Sequence, residues 1–392
     1  MTIGVKPMCR VALVTNIPAP YRLPVYNAIG AESGIDLHVV FCSAREPDRE
    51  WDLPTLLRPH YFLKDRFLSL GGRFIHVNLD VVGCLNKIAP DVVITTGFNP
   101  THLLAFVYAT SRGLPHIPMT DGTLASEAKL GWVHRFVRRL VYRKSQAFVA
   151  AADSGLDIYR SYGYDDAHLF QSALCVDNGA FHLHDGSPKH FDLMFCGRFV
   201  AVKNPLFALQ VALLVAKDLA RRVSVCFVGS GPLEKDIHNA AASMPELDVT
   251  LLGFAAQKDL PRRYADARIF LLPSLWDPWG VVANEACAAG LPVIVSPHAG
   301  VAGELVRDGD SGFVIGLDPR RWADAAVRLL TDETLYSAMS LAARQIVSGK
   351  YDFRAAANGI VAAVMHSRQS PAGAAPPVND AVKGTADSKA HR

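Results

Sequence analysis

The chain has 392 residues, 50% of them hydrophobic and 20% charged, with a formal net charge of +3 at pH 7. That length suits two domains rather than one, and so slight a basic excess excludes the electrostatic footprint of a nucleic-acid-binding protein. No run is long and apolar enough to span a membrane. The seven cysteines lie without close pairs, which excludes a disulfide framework or a zinc site and points to reduced core thiols in a cytoplasmic protein.

The first apolar run, Cys9 to Thr15, reads as a strand and is too short for a signal peptide. The turn after it, Asn16-Ile17-Pro18-Ala19-Pro20, lacks the three spaced glycines of a dinucleotide fingerprint, which disfavours a nicotinamide- or flavin-dependent enzyme. Tyr21 to Tyr26 leads into a helix, and Arg22 is either a cation reaching a phosphate from this strand end or an exposed arginine on a proline loop. Asp36 to Phe41 is a second strand. Residues from about Ser43 to Ser69, with Pro47, Pro54 and Pro59 among aromatic and charged residues, read as irregular structure. Asp91 to Thr96 is a buried strand, Pro100 to Arg112 its helix, and His116 to Met119 a further short strand. Asp121 follows at a strand's carboxyl edge, where ligands bind in open α/β sheets, although Asp-Gly is also an ordinary turn. His102 and His116 are alternatives to it, each read first as structural.

Lys129 to Lys144 contains Lys129, Arg135, Arg138, Arg139, Arg143 and Lys144 and no acid. Val133, Val137 and Leu140 recur at helical spacing, while Arg135, Arg138, Arg139 and Tyr142 point elsewhere. Trp132 and Phe136 suit an interface. Such a helix either lies on an anionic membrane through Arg135, Arg138, Arg139 and Arg143 or packs on its sheet with a solvated basic face. Gln146 to Ala151 is the next strand and Ser154 to Tyr162 its helix; Asp185-Gly186-Ser187-Pro188 reads as a linker.

In the second half, Phe191 to Cys196 is a strand, followed by Gly197-Arg198-Phe199-Val200-Ala201-Val202-Lys203-Asn204 and a helix from Pro205 to Leu219. Val223 to Val228 is the next strand, and Gly229-Ser230-Gly231-Pro232 turns into a helix. Val249 to Leu252 then runs into Gly253-Phe254, and Leu260 to Ala267 is helical. Asp308-Gly309-Asp310-Ser311-Gly312 superficially resembles an Asp-x-Asp metal motif, but its glycines make a tight turn the expectation and no metal is assigned there. Arg320 to Leu330, Thr334 to Val347 and Phe353 to Met365 close the fold as helices, and the Pro-, Ala-, Gly- and Ser-rich tail beyond Ser367 is expected to be disordered.

The chain is organised around residues 270–295. Ile269 to Leu272 reads as a strand stopped by Pro273 and Ser274, Gly280 opens a helix ending at Gly290, and Pro292 to Val295 is a second strand. This is a βαβ unit of a parallel sheet. The amides of Gly280, Val281 and Val282 form a helix N-terminus that favours an anion such as phosphate. Asp277 beside it is electrostatically costly unless it has another task, such as accepting hydrogen bonds from sugar hydroxyls; otherwise Asp277 is a loop cap and Glu285 a solvated helix residue.

This stretch resembles the signature of glycosyltransferase family 4, retaining enzymes in which two Glu residues separated by seven others precede a Gly-x-Pro-Val-Ile run. Asp277 stands in the first acid position, Glu285 in the second, and Gly290-Leu291-Pro292-Val293-Ile294 follows. The resemblance implies an α/β fold of two Rossmann-like domains facing a central cleft (GT-B), with the C-terminal helix crossing back to the first domain. It implies a nucleotide-sugar domain over 187–350, an acceptor domain over 1–186, a returning helix over 351–367 and a tail over 368–392. It further implies that Asp277 contacts the donor sugar and Glu285 the ribose, that Arg198 and Lys203 bind the donor diphosphate, and that Gly229, Gly253 and Phe254 border the nucleotide. Asp for Glu at 277 shortens the reach by roughly 1.5 Å, which bears on the donor sugar. Ile17 to Arg22 resembles the opening of a subset of the family, placing Tyr21 and Arg22 on the acceptor side, and Val176-Asp177-Asn178 with Phe181 resembles its first-domain closing segment. Asp121 then orients the acceptor or serves as base for its hydroxyl.

The expected activity is transfer of a sugar from a UDP- or GDP-sugar, a substrate rather than a cofactor, to a saccharide or lipid-linked acceptor of bacterial surface polysaccharide synthesis. The expected site is cytoplasmic, peripheral on the inner face of the membrane if the basic helix binds lipid. No metal, cofactor or nucleic acid is expected. An epimerase of the same fold, or a degenerate nucleotide-sugar-binding subunit, are the rival readings; the Asp277 departure alone points to the latter.

Overall fold

The computed structural model describes residues 8–29, 34–46, 55–70, 73–128, 130–182 and 188–369. In chain order the first elements are β1 (Cys9–Thr15), α1 (Leu23–Ala28), β2 (Ile35–Phe41), β3 (His60–Phe62), β4 (Phe67–Leu70), β5 (Arg73–His76), α2 (Val81–Ile88) and β6 (Val92–Thr95). There follow α3 (Pro100–Ser111), β7 (His116–Thr120), α4 (Leu124–Ala128), α5 (Trp132–Tyr142), β8 (Phe148–Ala150), α6 (Asp153–Ser161) and β9 (Leu169–Gln171). Then come α7 (Asn178–His182), β10 (Phe191–Cys196), α8 (Pro205–Leu219), β11 (Val223–Val228), α9 (Glu234–Ala242), β12 (Leu247–Leu251), α10 (Leu260–Ala265) and β13 (Ala267–Leu272). The last elements are α11 (Val281–Ala288), β14 (Val293–Val295), β15 (Gly312–Val314), α12 (Pro319–Thr331), α13 (Glu333–Gly349) and α14 (Phe353–Gln369).

The chain forms two compact units, Met1–Leu174 with Phe353–Arg392, and Cys175–Asp352. The first holds a seven-stranded sheet in the order β3-β2-β1-β6-β7-β8-β9, with every pairing parallel. Its central strands are continuous apolar runs with Val11 to Val14 and Val92 to Ile94 fully buried, the pattern of strands covered on both faces. The last helix, α14, belongs to this unit and packs against α1 and β9; Gly359 permits the approach, since a Cβ there would lie 1.7 Å from the Gln171 carbonyl oxygen.

The second unit holds a six-stranded parallel sheet, β12-β11-β10-β13-β14-β15. Pro205 starts α8 with its fixed φ, and Asn204 before it takes a left-handed φ of 56°. The buried face of α8, with Phe207, Val211 and Val215, joins Leu193, Phe227 and Trp322 in one core. In each sheet the strand order reverses beside the first strand, between β1 and β6 and between β10 and β13, so the ligand-binding positions lie at the carboxyl ends of those strands.

Several elements differ from the sequence reading. The 43–69 region is not wholly irregular: β3 extends the sheet beside β2, and β4 pairs antiparallel with β5. β9 and β15, three residues each, likewise have no counterpart in the sequence reading. The units divide at Leu174 rather than near 186, because α7 packs on α10 and α11, Phe181 meets the Tyr264 ring at 5.8 Å, and Asn178 donates to the Val347 carbonyl at 3.1 Å. Of the expected linker, residues 185–187 lie outside the described residues, as does the tail from 370. No helix among the described residues is long and apolar enough to cross a membrane.

Candidate active site

In the second unit, four loops meet at the carboxyl ends of β10 to β13. Gly197 follows β10, and its amide donates to the Val228 carbonyl at 2.9 Å; the Phe199 amide donates to Ser230 at 2.8 Å, and the Gly229 amide to Gly253 at 2.8 Å. This closeness requires glycine. Gly229 has φ 137°, and a Cβ there would sit 2.0 Å from the Gly197 carbonyl oxygen. Phe254, next to Gly253, is 48% exposed, unusual for a large apolar ring and suited to covering a flat ligand.

The loop after β13 carries Asp277 into contact with the preceding loop. The Leu275 amide donates to the Val202 carbonyl at 2.8 Å, and the Lys203 ammonium pairs with Asp277 Oδ2. The other oxygen, Oδ1, accepts from the Trp279 amide at 3.3 Å. The Asp277 backbone is fixed on both sides, its amide to the His298 carbonyl at 3.1 Å and its carbonyl from Gly300 at 3.0 Å. Trp279 is itself buried, its indole donating to Asn284 Oδ1 at 2.8 Å. The first acid and the second cation of the sequence reading thus form one ion pair, while Arg198 stands exposed on the same loop as Lys203.

Gly280 opens α11 with φ 101°, and the amides of Val281 and Val282 begin its first turn. Glu285 lies on the buried side of this helix, 5% exposed. The Tyr264 hydroxyl donates to Glu285 Oε2 at 2.7 Å, and Gln257 Nε2 donates to Oε1 at 3.3 Å. Burial outweighs these donors and pushes the Glu285 carboxyl up to about 7. The solvated helix residue considered from sequence is therefore a buried, hydrogen-bonded acid. Tyr264 and Gln257 lack any local signature that would single them out in the sequence; only the fold brings them to Glu285.

In the first unit, Arg22 is not an exposed cation. Its side chain is 5% exposed. Nη1 donates to the Ser172 carbonyl at 3.0 Å, Ser172 Oγ at 3.2 Å and the Ala173 carbonyl at 3.4 Å, and Nη2 to Asp121 Oδ1 at 2.5 Å. It caps α1 and ties that helix to the segment after β9. Arg22, Asp121 and Tyr21 share the lining of a cavity of about 190 Å³ at the ends of β1, β6 and β7, together with Glu46, which the sequence reading passed over. His102 and His116 are core residues, each held neutral by burial at about 3. His116 bonds Thr95 Oγ1 at 3.0 Å and Ser145 Oγ at 2.8 Å.

Residues 308–312 form a turn in which Asp308 Oδ1 accepts from the Val314 amide at 2.9 Å. On α5 the apolar residues divide between two faces. Val133 and Leu140 are 50% and 47% exposed with Trp132 and Phe136, whereas Val141 and Tyr142 are buried. Arg138 also departs from the basic face: it pairs with Glu127 at 3.0 Å and lies over the Phe98 ring at 4.3 Å. Arg135, Arg139 and Arg143 are exposed.

Residues 190–332 match the family model of Glycosyl transferases group 1. The D-inositol 3-phosphate glycosyltransferase 1 of Catenulispora acidiphila is 33% identical over 169 residues, 41% of this chain and 40% of that protein. Spore coat protein SA of Bacillus subtilis is 28% identical over 187 residues, 45% of this chain and 49% of that protein. The chain thus spans about half or less of these curated relatives. Anabaena HepE, solved in complex with UDP, superposes with a TM-score of 0.70 at 16% identity, over 91% of this chain and all (100%) of that one. WaaG, a glycosyltransferase involved in lipopolysaccharide biosynthesis, gives 0.61 at 16% identity over 90% and 98% of the two chains. At such identities the likeness is one of fold, and the fold is that of these glycosyltransferases.

Proposed function

We propose that the protein, whose residues 190–332 match the glycosyl transferases group 1 model, is a retaining, family 4 glycosyltransferase using a UDP- or GDP-sugar. The observation that carries this reading is the juxtaposition, within the second unit, of Lys203 with Asp277 and of Tyr264 with Glu285 at the ends of β10 and β13. A departing nucleoside diphosphate gains negative charge, which Arg198, Lys203 and the first amides of α11 are suited to stabilise. The Glu285 carboxylate accepts hydrogen bonds from the ribose, with Gly229, Gly253 and Phe254 bordering the nucleotide. Asp277, released from Lys203 as that cation turns to the diphosphate, accepts from hydroxyls of the donor sugar. Transfer occurs on one face of the sugar, the donor phosphate taking the acceptor's proton, so the chain supplies no nucleophile and requires no metal or other cofactor.

On this reading the first unit binds a saccharide or lipid-linked acceptor of surface polysaccharide synthesis, oriented by Asp121 and Tyr21, in the cytoplasm. The UDP in the HepE complex supports the choice of nucleotide, and the pathway named for WaaG the class of product. Peripheral attachment is supported by α5, which exposes Trp132, Val133, Phe136 and Leu140 beside Arg135, Arg139 and Arg143, an apolar stripe flanked by cations that suits an anionic bilayer. The test is calorimetric titration with UDP, GDP and their sugars, followed by NMR of the transfer product. Binding of one nucleotide series and a product with the donor's anomeric configuration are expected. An inverted product, conversion of the donor to its epimer without acceptor, or binding with no transfer to any acceptor would each overturn the reading in a distinguishable way.

A further inference from the structure

The cavity of the first unit lies where its strand order reverses, lined by Thr15 and Asn16 after β1, Thr96 after β6, and Asp121 after β7. Its volume of about 190 Å³ is below the roughly 300–1,000 Å³ of pockets that enclose drug-sized ligands, so it takes one small group. Of the lining residues only Arg22, Glu46 and Asp121 carry formal charge, one cation against two acids. The cation is committed: its guanidinium is buried, bonded to two backbone carbonyls, a serine hydroxyl and Asp121. The two acids differ in access. The Asp121 side chain is 47% exposed. Glu46, 13% exposed, is held by Nε2 of the fully buried His76 at 3.2 Å.

An ionised carboxylate only accepts hydrogen bonds, and here two of them face a space that also holds the hydroxyls of Thr15 and Thr96 and the amide of Asn16. A hydroxyl-bearing group satisfies that set. A phosphate or carboxylate meets like charge at distances where such repulsion is poorly screened, and the one cation among the lining residues is already bonded to Asp121 and the Ser172 and Ala173 carbonyls. Resting on the glycosyltransferase reading for its name as an acceptor site, we infer that this pocket takes an uncharged, hydroxyl-rich sugar terminus and excludes one bearing an anionic substituent there. Glu46 is the specificity-determining residue, and His76 positions it.

The probes are methyl glycosides of common neutral hexoses and the corresponding 6-phosphates and glucuronides, tested by saturation-transfer NMR on the full chain without nucleotide. Neutral glycosides show transfer from the protein, and anionic partners show it at least tenfold more weakly. Glu46→Gln narrows that difference several-fold by removing one charge while keeping the acceptor oxygen. Asp121→Asn, made separately, does the same, so the inference does not hang on one variant's folding; circular dichroism accompanies both. Anionic sugars binding as well as neutral ones, neutral glycosides showing no transfer, or an unchanged preference in both folded variants would overturn it. Nucleotide titration in parallel isolates the other question: a chain that discriminates sugars as described yet binds no nucleotide refutes the transferase reading and leaves this pocket's chemistry standing.

Discussion

On the proposed function, the buried acid on α11 makes nucleotide binding and stability depend on pH in opposite directions. Glu285 is raised from an ordinary 4.5 to about 7 by burial, with Tyr264 and Gln257 opposing the shift. The folded chain therefore holds a proton between about pH 4.5 and pH 7 that the unfolded chain has lost, so stability falls as pH rises through that window. A rise of that size corresponds to roughly 3 kcal/mol. On the proposed function, by contrast, a ribose is held by the ionised carboxylate, so nucleotide affinity should rise about tenfold per pH unit up to about 7 and then level off. The informative perturbation is Tyr264→Phe. It removes the donor 2.7 Å from Oε2, and a hydrogen bond to a charged group is worth about 1.5–3 kcal/mol. The midpoint of the affinity profile should therefore move up by about 1–2 pH units, with affinity at high pH recovered. Glu285→Gln should abolish the profile, weaken binding at high pH, and flatten the stability curve. The assay is calorimetric affinity for the nucleotide, with chemical denaturation alongside, from about pH 5 to pH 9. A flat wild-type profile, or a Tyr264→Phe midpoint unmoved while its stability changes, would refute the reasoning, because a purely packing role for Tyr264 shifts stability without shifting the midpoint.

Asp277→Asn should lower kcat more than it weakens binding of the bare nucleotide, as expected of a contact made chiefly in the transition state; equal turnover removes Asp277 from the sugar. Arg198→Ala and Lys203→Ala should each lower kcat about 10²-fold, but only Lys203→Ala should also lower the melting temperature, since it strands the largely buried Asp277 carboxylate. Gly229→Ala should destabilise by more than the roughly 1–3 kcal/mol of backbone strain alone, because its Cβ would meet the Gly197 carbonyl oxygen at 2.0 Å; denaturant titration reads this. Reversing Arg135, Arg139 and Arg143 to Glu should abolish low-salt co-sedimentation with anionic vesicles, while wild-type-like sedimentation of that variant would rule out α5 as the contact.

Legibility in the sequence followed the range of the interactions. β10, α8 and β11 were read to the residue, because each is an uninterrupted apolar or helical run bounded by its own Gly, Pro or charged punctuation. The placement of Asp277 in the loop after β13 and of Glu285 inside α11 was legible for a related reason: strand, loop and helix lie within one short βαβ unit. What was missed is held together across the chain. Arg22 finds its acceptors 150 residues away at Ser172, Tyr264 reaches Glu285 across 21, and Glu46 meets His76 across 30. None of these partners has a signature at its own position, so Arg22 read as a free cation and Glu46 not at all.

The basic helix shows the limit in another form. Periodicity established that α5 is amphipathic but not which apolar residues pack inward. The spacing of Val133, Val137 and Leu140 is helical, as expected, yet the helix is anchored by its last turn, where Val141 and Tyr142 are buried and Tyr142 meets the Phe148, Tyr159 and Tyr162 rings. Once Tyr142 is fixed in that aromatic cluster, the rotation of the whole helix is set. Trp132, Val133, Phe136 and Leu140 then fall outward, and Arg138 falls inward onto Phe98 and Glu127. Had Val133 and Leu140 been the packed face, the outward side would have been polar and a solvated surface would have sufficed to explain it. The observed rotation leaves Trp132, Val133, Phe136 and Leu140 exposed beside three arginines, and the proposal of a bilayer contact rests on that arrangement.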